Sequence, residues 1–473
     1  MTRFFIVLVL SIVSTLPVFS QVIDRPVFLT DRLTKYDQEI IQRIHHNFDV
    51  EDAKLTAETS FYRTHLTRSL NYILTNYKEG AYLKHDSLQV VIDSMAQDII
   101  RSNNLELENS VFLIKSSGYV NAMTTMINVF EIDVGLFGML NSKDELAFVL
   151  SHEIVHQLNY HIAERIALEM EYKPNQLLMA EMRRITNGLK PSDDFHKVQG
   201  ARYELMRKSR NMEVQADSIG LIFMEKAGYS PQVGVQALYK LGYRGCRSSK
   251  DFNVLFSRLF TPRFTPKENW FVKQLPLYSK YPSHYLIYNV DSLISHPHLE
   301  DRIKSIEHLV GKEFINEYYP NVNDIWQEMI WSGYEAMQAD LTLFYLLIYL
   351  DQSGYDAFAG SMVASIFLDL YLAKFDYDVE NNIYQYVNHR TVEYPDGLRN
   401  LNNVLLNMSK EDCLETGFYF LSNREVFDSD NEDHYFLLYQ YAALLEREEV
   451  ANKVRSMYFL HFTEGKYRTR DFK

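Results

Sequence analysis

Cysteine is almost absent from this sequence: 473 residues contain two, Cys246 and Cys413, far apart in the chain. That excludes a thiolate metal cluster and a disulfide-built scaffold. It leaves either one bond tying the C-terminal region to the middle of the chain or two separate buried thiols. Positive charge is also short, with 48 Lys and Arg against 62 Asp and Glu and a formal net charge of −14. No basic block occurs, so nucleic acid is excluded as a partner. Long apolar runs are scarce. Past the N-terminus the best candidate, Leu341 to Leu350, stops at Asp351-Gln352-Ser353-Gly354, and no spanning helix is expected in the mature chain. The N-terminus differs. Arg3, the apolar run Phe4 to Val13 and then Val18-Phe19-Ser20 predict a signal peptide over 1–20 and an exported product, in the periplasm or cell envelope or secreted. An uncleaved anchor is the alternative, and no cysteine follows the run to carry a lipid.

What is present suffices for a large core: 47% of residues are hydrophobic, with 33 Tyr and 29 Phe. The length fits two or three domains. Over 21–105 apolar residues recur at helical spacing, as in Ile40, Ile41 and Ile44 and in Leu88, Val91, Ile92, Met95 and Ile99, and predict packing helices. His45 and His46, near Asp49, Glu51 and Asp52, read as a solvated face, because neighbouring histidines point to different sides of a helix. The period then changes. Ser110 to Lys115, Gly118 to Ala122 and Met126 to Glu131 are short and rich in β-branched residues, and predict a small antiparallel sheet. Past Tyr318-Tyr319-Pro320-Asn321 long helical patterns follow, at 324–351, 355–374, 397–408 and 434–462. The expected fold class is α+β, mainly α, with a C-terminal helical domain over 311–473. That domain looks repeat-like without the fixed period of a tetratricopeptide array. The aromatic stretch 246–289, with Trp270, reads either as a lid or as an insertion with its own small core.

The chemistry is concentrated after the strands. Ser142 stands three residues before Glu145, the arrangement of a capping box. The helix it opens runs through Leu146, Val149, Leu150, Ile154, Val155, Leu158 and Ile162 and carries His152-Glu153-Ile154-Val155-His156. Two histidines four apart share a helix face and can both present a ring nitrogen to one zinc ion, while Glu153 is turned toward a water on that ion. The alternative is a core helix whose histidines bond backbone carbonyls. A second helix carries Glu213 and Asp217, again four apart and flanked by Ala216, Ile219, Leu221, Ile222 and Phe223, and ends at Gly228 before Pro231. The spacing suits Glu213 as third zinc ligand and Asp217 as acceptor for the free ring N–H of a ligand histidine. A solvated acidic face is the competing reading.

At this point the chain resembles the family-48 zinc metallopeptidases typified by HtpX and the CAAX prenyl endopeptidase, with exported relatives in bacterial envelopes. The likeness runs over Asn121-Ala122, Gly135-Leu136, Asp144-Glu145-Leu146-Ala147, the motif helix through His161, Glu213 with Ala216-Asp217, Gly228-Tyr229, Ser295-His296-Pro297 and Arg302-Ile303. It covers roughly 110 to 305. The resemblance implies a zincin-like catalytic core over 110–305 within a metallopeptidase domain spanning 21–310. It assigns His152, His156 and Glu213 to one zinc ion, Glu153 to the catalytic carboxylate and Asp217 to support. His296 and Arg302 fall on the oxyanion side, or His296 covers the site at rest, and His161 is structural. The stretch Met123 to Ile127 lacks the proline and glycines usual after the Asn-Ala pair. The implied function is a zinc metalloendopeptidase acting on exported, unfolded or misassembled polypeptides. The C-terminal helices, outside the resemblance, read either as a holder of a substrate or partner protein against the catalytic site or as a domain that only packs on the protease. A chaperone-like binder with a structural or self-inhibited zinc site is the alternative, and an exopeptidase a third reading.

Overall fold

A computed structural model describes residues 35–84, 86–107, 109–140, 142–171, 193–242, 252–272, 298–310, 323–375, 383–388 and 396–468. These residues form two units, one drawn from 28–245 and 275–322, the other from 246–274 and 323–473. The candidate signal peptide and Cys246 lie outside the described residues.

The first unit opens with α1 (Lys35–Ala53), α2 (Tyr62–Lys78) and α3 (Asp86–Ser102). Ile44, Leu66 and Ile73 from the first two pack against Tyr82, Val111, Leu113 and Val129 of the sheet and against Ile127 of an adjoining turn. The far faces are wet, and His45 and His46 are exposed there. Four strands, β1 (Tyr82–Leu83), β2 (Val111–Lys115), β3 (Ala122–Thr124) and β4 (Val129–Asp133), lie in the order β1-β2-β4-β3. β3 and β4 are antiparallel, but β2 and β4 run parallel, with Val111 opposite Val129 and Lys115 opposite Asp133. The sheet is therefore mixed, which corrects the antiparallel expectation. The cause is burial. β4 is buried along its whole length and takes the centre, while the half-buried β3 takes the edge, so the chain passes over the place beside β2. The turn also sits later than the residues suggested. Thr125 closes it by donating from its backbone N–H at 2.9 Å and its hydroxyl at 3.0 Å to the Val129 carbonyl.

From β4 the chain passes through α4 (Val134–Met139) to α5 (Lys143–Leu158), α6 (His161–Glu171), α7 (Asp193–Lys226), α8 (Gly234–Leu241) and α9 (Leu299–Ile306). The predicted capping box forms: Ser142 Oγ accepts from the Glu145 N–H at 3.2 Å and the Ser142 N–H donates to Glu145 at 3.3 Å. Glu145 has no exposed surface, and Lys240 of α8 neutralises it at 2.5 Å. The motif helix ends at Leu158, sooner than its apolar pattern predicts, because Tyr160 adopts a left-handed φ of 52°.

In the second unit two of the long helical patterns each divide into a pair. α10 (Asn323–Glu335) and α11 (Ala339–Ser353) are separated at Met337, with φ 56°. After α12 (Ala357–Phe375), α13 (Ile383–Tyr386), α14 (Asp396–Asn407) and α15 (Lys410–Leu421), the pair α16 (Glu432–Leu444) and α17 (Glu448–His461) is separated at Glu446, again with φ 56°. α12 is the central helix. Its span Ala357–Lys374 is long and apolar enough to cross a membrane by composition, with 67% of it buried inside the protein. Its burial is that of a core helix, and the apolar run Leu341 to Leu350 is likewise buried, within α11. Two of the buried tyrosines hold acids through their hydroxyls: Tyr349 donates to Asp356 at 2.5 Å and Tyr458 to Glu432 at 2.7 Å. Trp270, fully buried, donates to Asp412 at 3.0 Å, and Asn407 donates to the Trp270 carbonyl at 2.9 Å. The segment 252–272 gathers Phe256, Phe260 and Phe264 ring to ring around Trp270 in a small aromatic cluster, and joins it to the C-terminal helices through Trp270 and the stacking of Phe264 on Tyr419. Cys413 is a buried free thiol.

Candidate metal centre

The site is built where α7 lies on α5. Their backbones approach closely because position 220 is glycine: a Cβ there would sit 3.1 Å from the His152 nitrogen and 3.3 Å from its Cα. The approach carries Glu213 to the two motif histidines. His152 Nε2 and His156 Nε2 are 3.0 Å apart, and Glu213 Oε2 and Oε1 lie 3.7 and 3.6 Å from them respectively. Donor atoms of these three residues fall within 4.8 Å of one another. A tetrahedral zinc with bonds of about 2.0–2.1 Å spaces its donors at about 3.3 Å, so the triangle has the size the ion demands.

The rear of each ligand is held. His152 Nδ1 lies 2.9 Å from Asp217 Oδ1, which leaves Nε2 aimed at the other two donors. Asp217 is in turn gripped by Arg302 of α9, whose Nε and Nη2 donate to its two oxygens at 2.8 and 2.6 Å. Arg302 Nη1 is also 3.7 Å from Glu213. The guanidinium fork is therefore committed to Asp217, which departs from the oxyanion role implied by resemblance. A buried bidentate pair leaves the planar fork little freedom to turn. His161 Nδ1 meets His156 Nδ1 at 2.9 Å, and its Nε2 meets Gln215 Oε1 of α7 at 3.1 Å. In an unbroken helix His161 would be turned about 140° from His156, and the left-handed Tyr160 brings it back. Gln215 and Gly220 carry no motif, and the one sequence signal for them is their place on the same helix as Glu213. His296 and Pro297 lie outside the described residues.

Glu153 borders the edge strand. Thr124 of β3 gives it a backbone hydrogen bond, and the Thr124 hydroxyl donates to Gln157 of α5 at 2.9 Å. Burial, opposed by the His152 charge and reinforced by Glu213, pushes the Glu153 carboxyl up to about 7. Burial and the neighbouring His152 pull His156 down to about 3, so its ring is neutral as a ligand must be. At Asp217 burial acts upward, but Arg302 and His152 outweigh it and keep the carboxylate ionised. Burial likewise opposes charge on His152, and Asp217 outweighs it.

A zincin-like α+β fold with an H-E-x-x-H helix and a glutamate from a following helix defines the site as that of a metallopeptidase domain. Residues 83–310 match Peptidase family M48, and this region belongs to that family. Over 140 residues the chain is 29% identical to the mitochondrial metalloendopeptidase OMA1 of Arabidopsis thaliana, across 30% of this chain. The alignment spans 27% of that relative's own length.

Proposed function

We propose that this chain is a zinc metalloendopeptidase that hydrolyses internal peptide bonds of extended polypeptide segments, with His152, His156 and Glu213 holding the ion. The carrying observation is the donor triangle with Glu153 beside it and Asp217 behind. Zinc, when bound, acidifies a water and polarises the scissile carbonyl. Glu153 accepts the proton of the attacking water on a carboxylate oxygen and delivers it to the amide nitrogen as the C–N bond breaks. Asp217 holds the His152 tautomer and Arg302 holds Asp217. β3 is the last strand of the sheet next to Glu153, and a substrate strand added to its outer edge would run past the carboxylate. Folded domains offer no free strand, so unfolded or misassembled proteins are the proposed substrates.

The leader-like residues at Phe4 to Val13 support exported proteins as those substrates and the cell envelope as the location, which fractionation of cells checks. The activity test is cleavage of an unfolded protein with chelator and zinc rescue. Glu153→Gln should retain zinc and lose at least about 10²-fold in rate. Full activity in that variant overturns the mechanism. Mapping of products to internal bonds separates endopeptidase from exopeptidase.

A further inference from the structure

The second unit holds a cavity of about 130 Å³ that plays no part in the metal centre, lined by Tyr334, Glu335, Met337, Ile366, Asp369 and Tyr386 among others. Asp369 is the acidic residue of α12, otherwise the most apolar helix of the unit. Tyr334 and Tyr386 are both near enough to its carboxyl to feel its charge. No Lys, Arg or His lines the cavity among the described residues. Asp369 is half-buried and has no cation beside it among those residues, and burial holds its proton until about 7. Tyrosine rings add faces that attract cations, and Ile366 and Met337 add apolar wall. Glu335, exposed, adds a second negative charge to the lining.

We propose that this cavity binds a primary alkylammonium group, either the lysine side chain of an extended polypeptide or a free amine with a stem of that length. The size agrees: a cavity of about 150 Å³ accepts benzene, with six heavy atoms, and butylammonium has five. The ammonium pairs with Asp369, which releases its own proton to solvent, and the methylene stem lies against Ile366 and Met337. A neutral apolar guest would leave the acid unused, and an anion would meet two carboxyls and no cation.

The full chain carrying Glu153→Gln, which removes proteolysis without touching this unit, is titrated calorimetrically with three probes: N-acetyl-lysine methylamide, N-acetyl-norleucine methylamide and n-butylamine. The blocked lysine or butylamine should bind saturably, at least about tenfold tighter than norleucine, and Asp369→Asn should erase that advantage. Tighter binding of blocked lysine than of butylamine assigns a polypeptide source, and equal affinity a free amine; both keep the site. Ile366→Trp, which fills the cavity while leaving Asp369 in place, should abolish binding, with circular dichroism checking that both variants fold. Equal affinity for norleucine, binding unchanged in folded Asp369→Asn, or no saturable binding overturns the proposal. Failure here leaves the peptidase reading intact, since that is judged on cleavage by the unmodified chain.

Discussion

Single residues at the metal centre act mainly by holding other residues still. Asp217→Asn keeps the side chain's size but weakens its grip on both Arg302 and His152 Nδ1. Zinc affinity should fall by roughly 10–100-fold, read by competition with a chromogenic chelator, with little change in helix content. Gly220→Ala tests the helix approach itself. The added methyl would press on the His152 backbone rather than on a yielding side chain. Loss of about 1–3 kcal/mol in urea denaturation and reduced zinc content are expected together. A variant as stable and as zinc-replete as the parent would show that the helices have slack at that crossing.

At the level of elements, α5 is fixed at its first turn as much as by its apolar sides. The Ser142 cap and the Glu145–Lys240 pair meet at one residue, so Glu145 serves as cap partner and as buried ion at once. Ser142→Ala should cost about 1 kcal/mol. Lys240→Met should cost more, about 3–5 kcal/mol, because Glu145 would be left charged and desolvated, and Glu145→Leu in the same chain should recover much of it. Both are read from urea midpoints. The break after α5 is equally consequential, for without the left-handed Tyr160 the His161 ring would not reach His156.

For the molecule as a whole, stability should depend on pH through acids buried without full compensation. Asp133, at the end of the central strand, is pushed up to about 7 by burial, with Lys115 opposing and Glu131 adding to the shift. An unfolded aspartate titrates near about 3.9. Below that value both states are protonated. Between about 4 and 7 the folded chain keeps the proton and the unfolded chain has lost it, so stability falls as pH rises and then levels off. Asp133→Asn should flatten that slope and raise stability at pH 8 by on the order of 1–3 kcal/mol, measured by denaturant midpoints across pH. A parallel drop with pH in the variant would assign the slope to other acids.

The sequence by itself determined what is local in the chain. The i, i+4 pairs His152 and His156, and Glu213 and Asp217, depend only on the helical repeat, and the Ser142–Glu145 cap only on a single turn of backbone. Those residues made the metal chemistry legible before any fold was known, as did the mainly helical class. Other features were decided by packing. β4 entered between β2 and β3 because its wholly buried surface required the centre of the sheet, a competition that no single strand expresses. Met337 and Glu446, neither a glycine, adopt φ of 56° and divide two long patterns into helix pairs. A residue bears that conformation only where the contacts between the paired helices outweigh its cost. Arg302 could be matched to a motif but not to its role, because which carboxylate its fork would meet depended on α9 reaching α7. Periodicity and capping are properties of neighbouring residues and survive in one dimension, whereas the meeting of Glu213 with two histidines some sixty residues earlier depends on the side-chain volumes between α5 and α7.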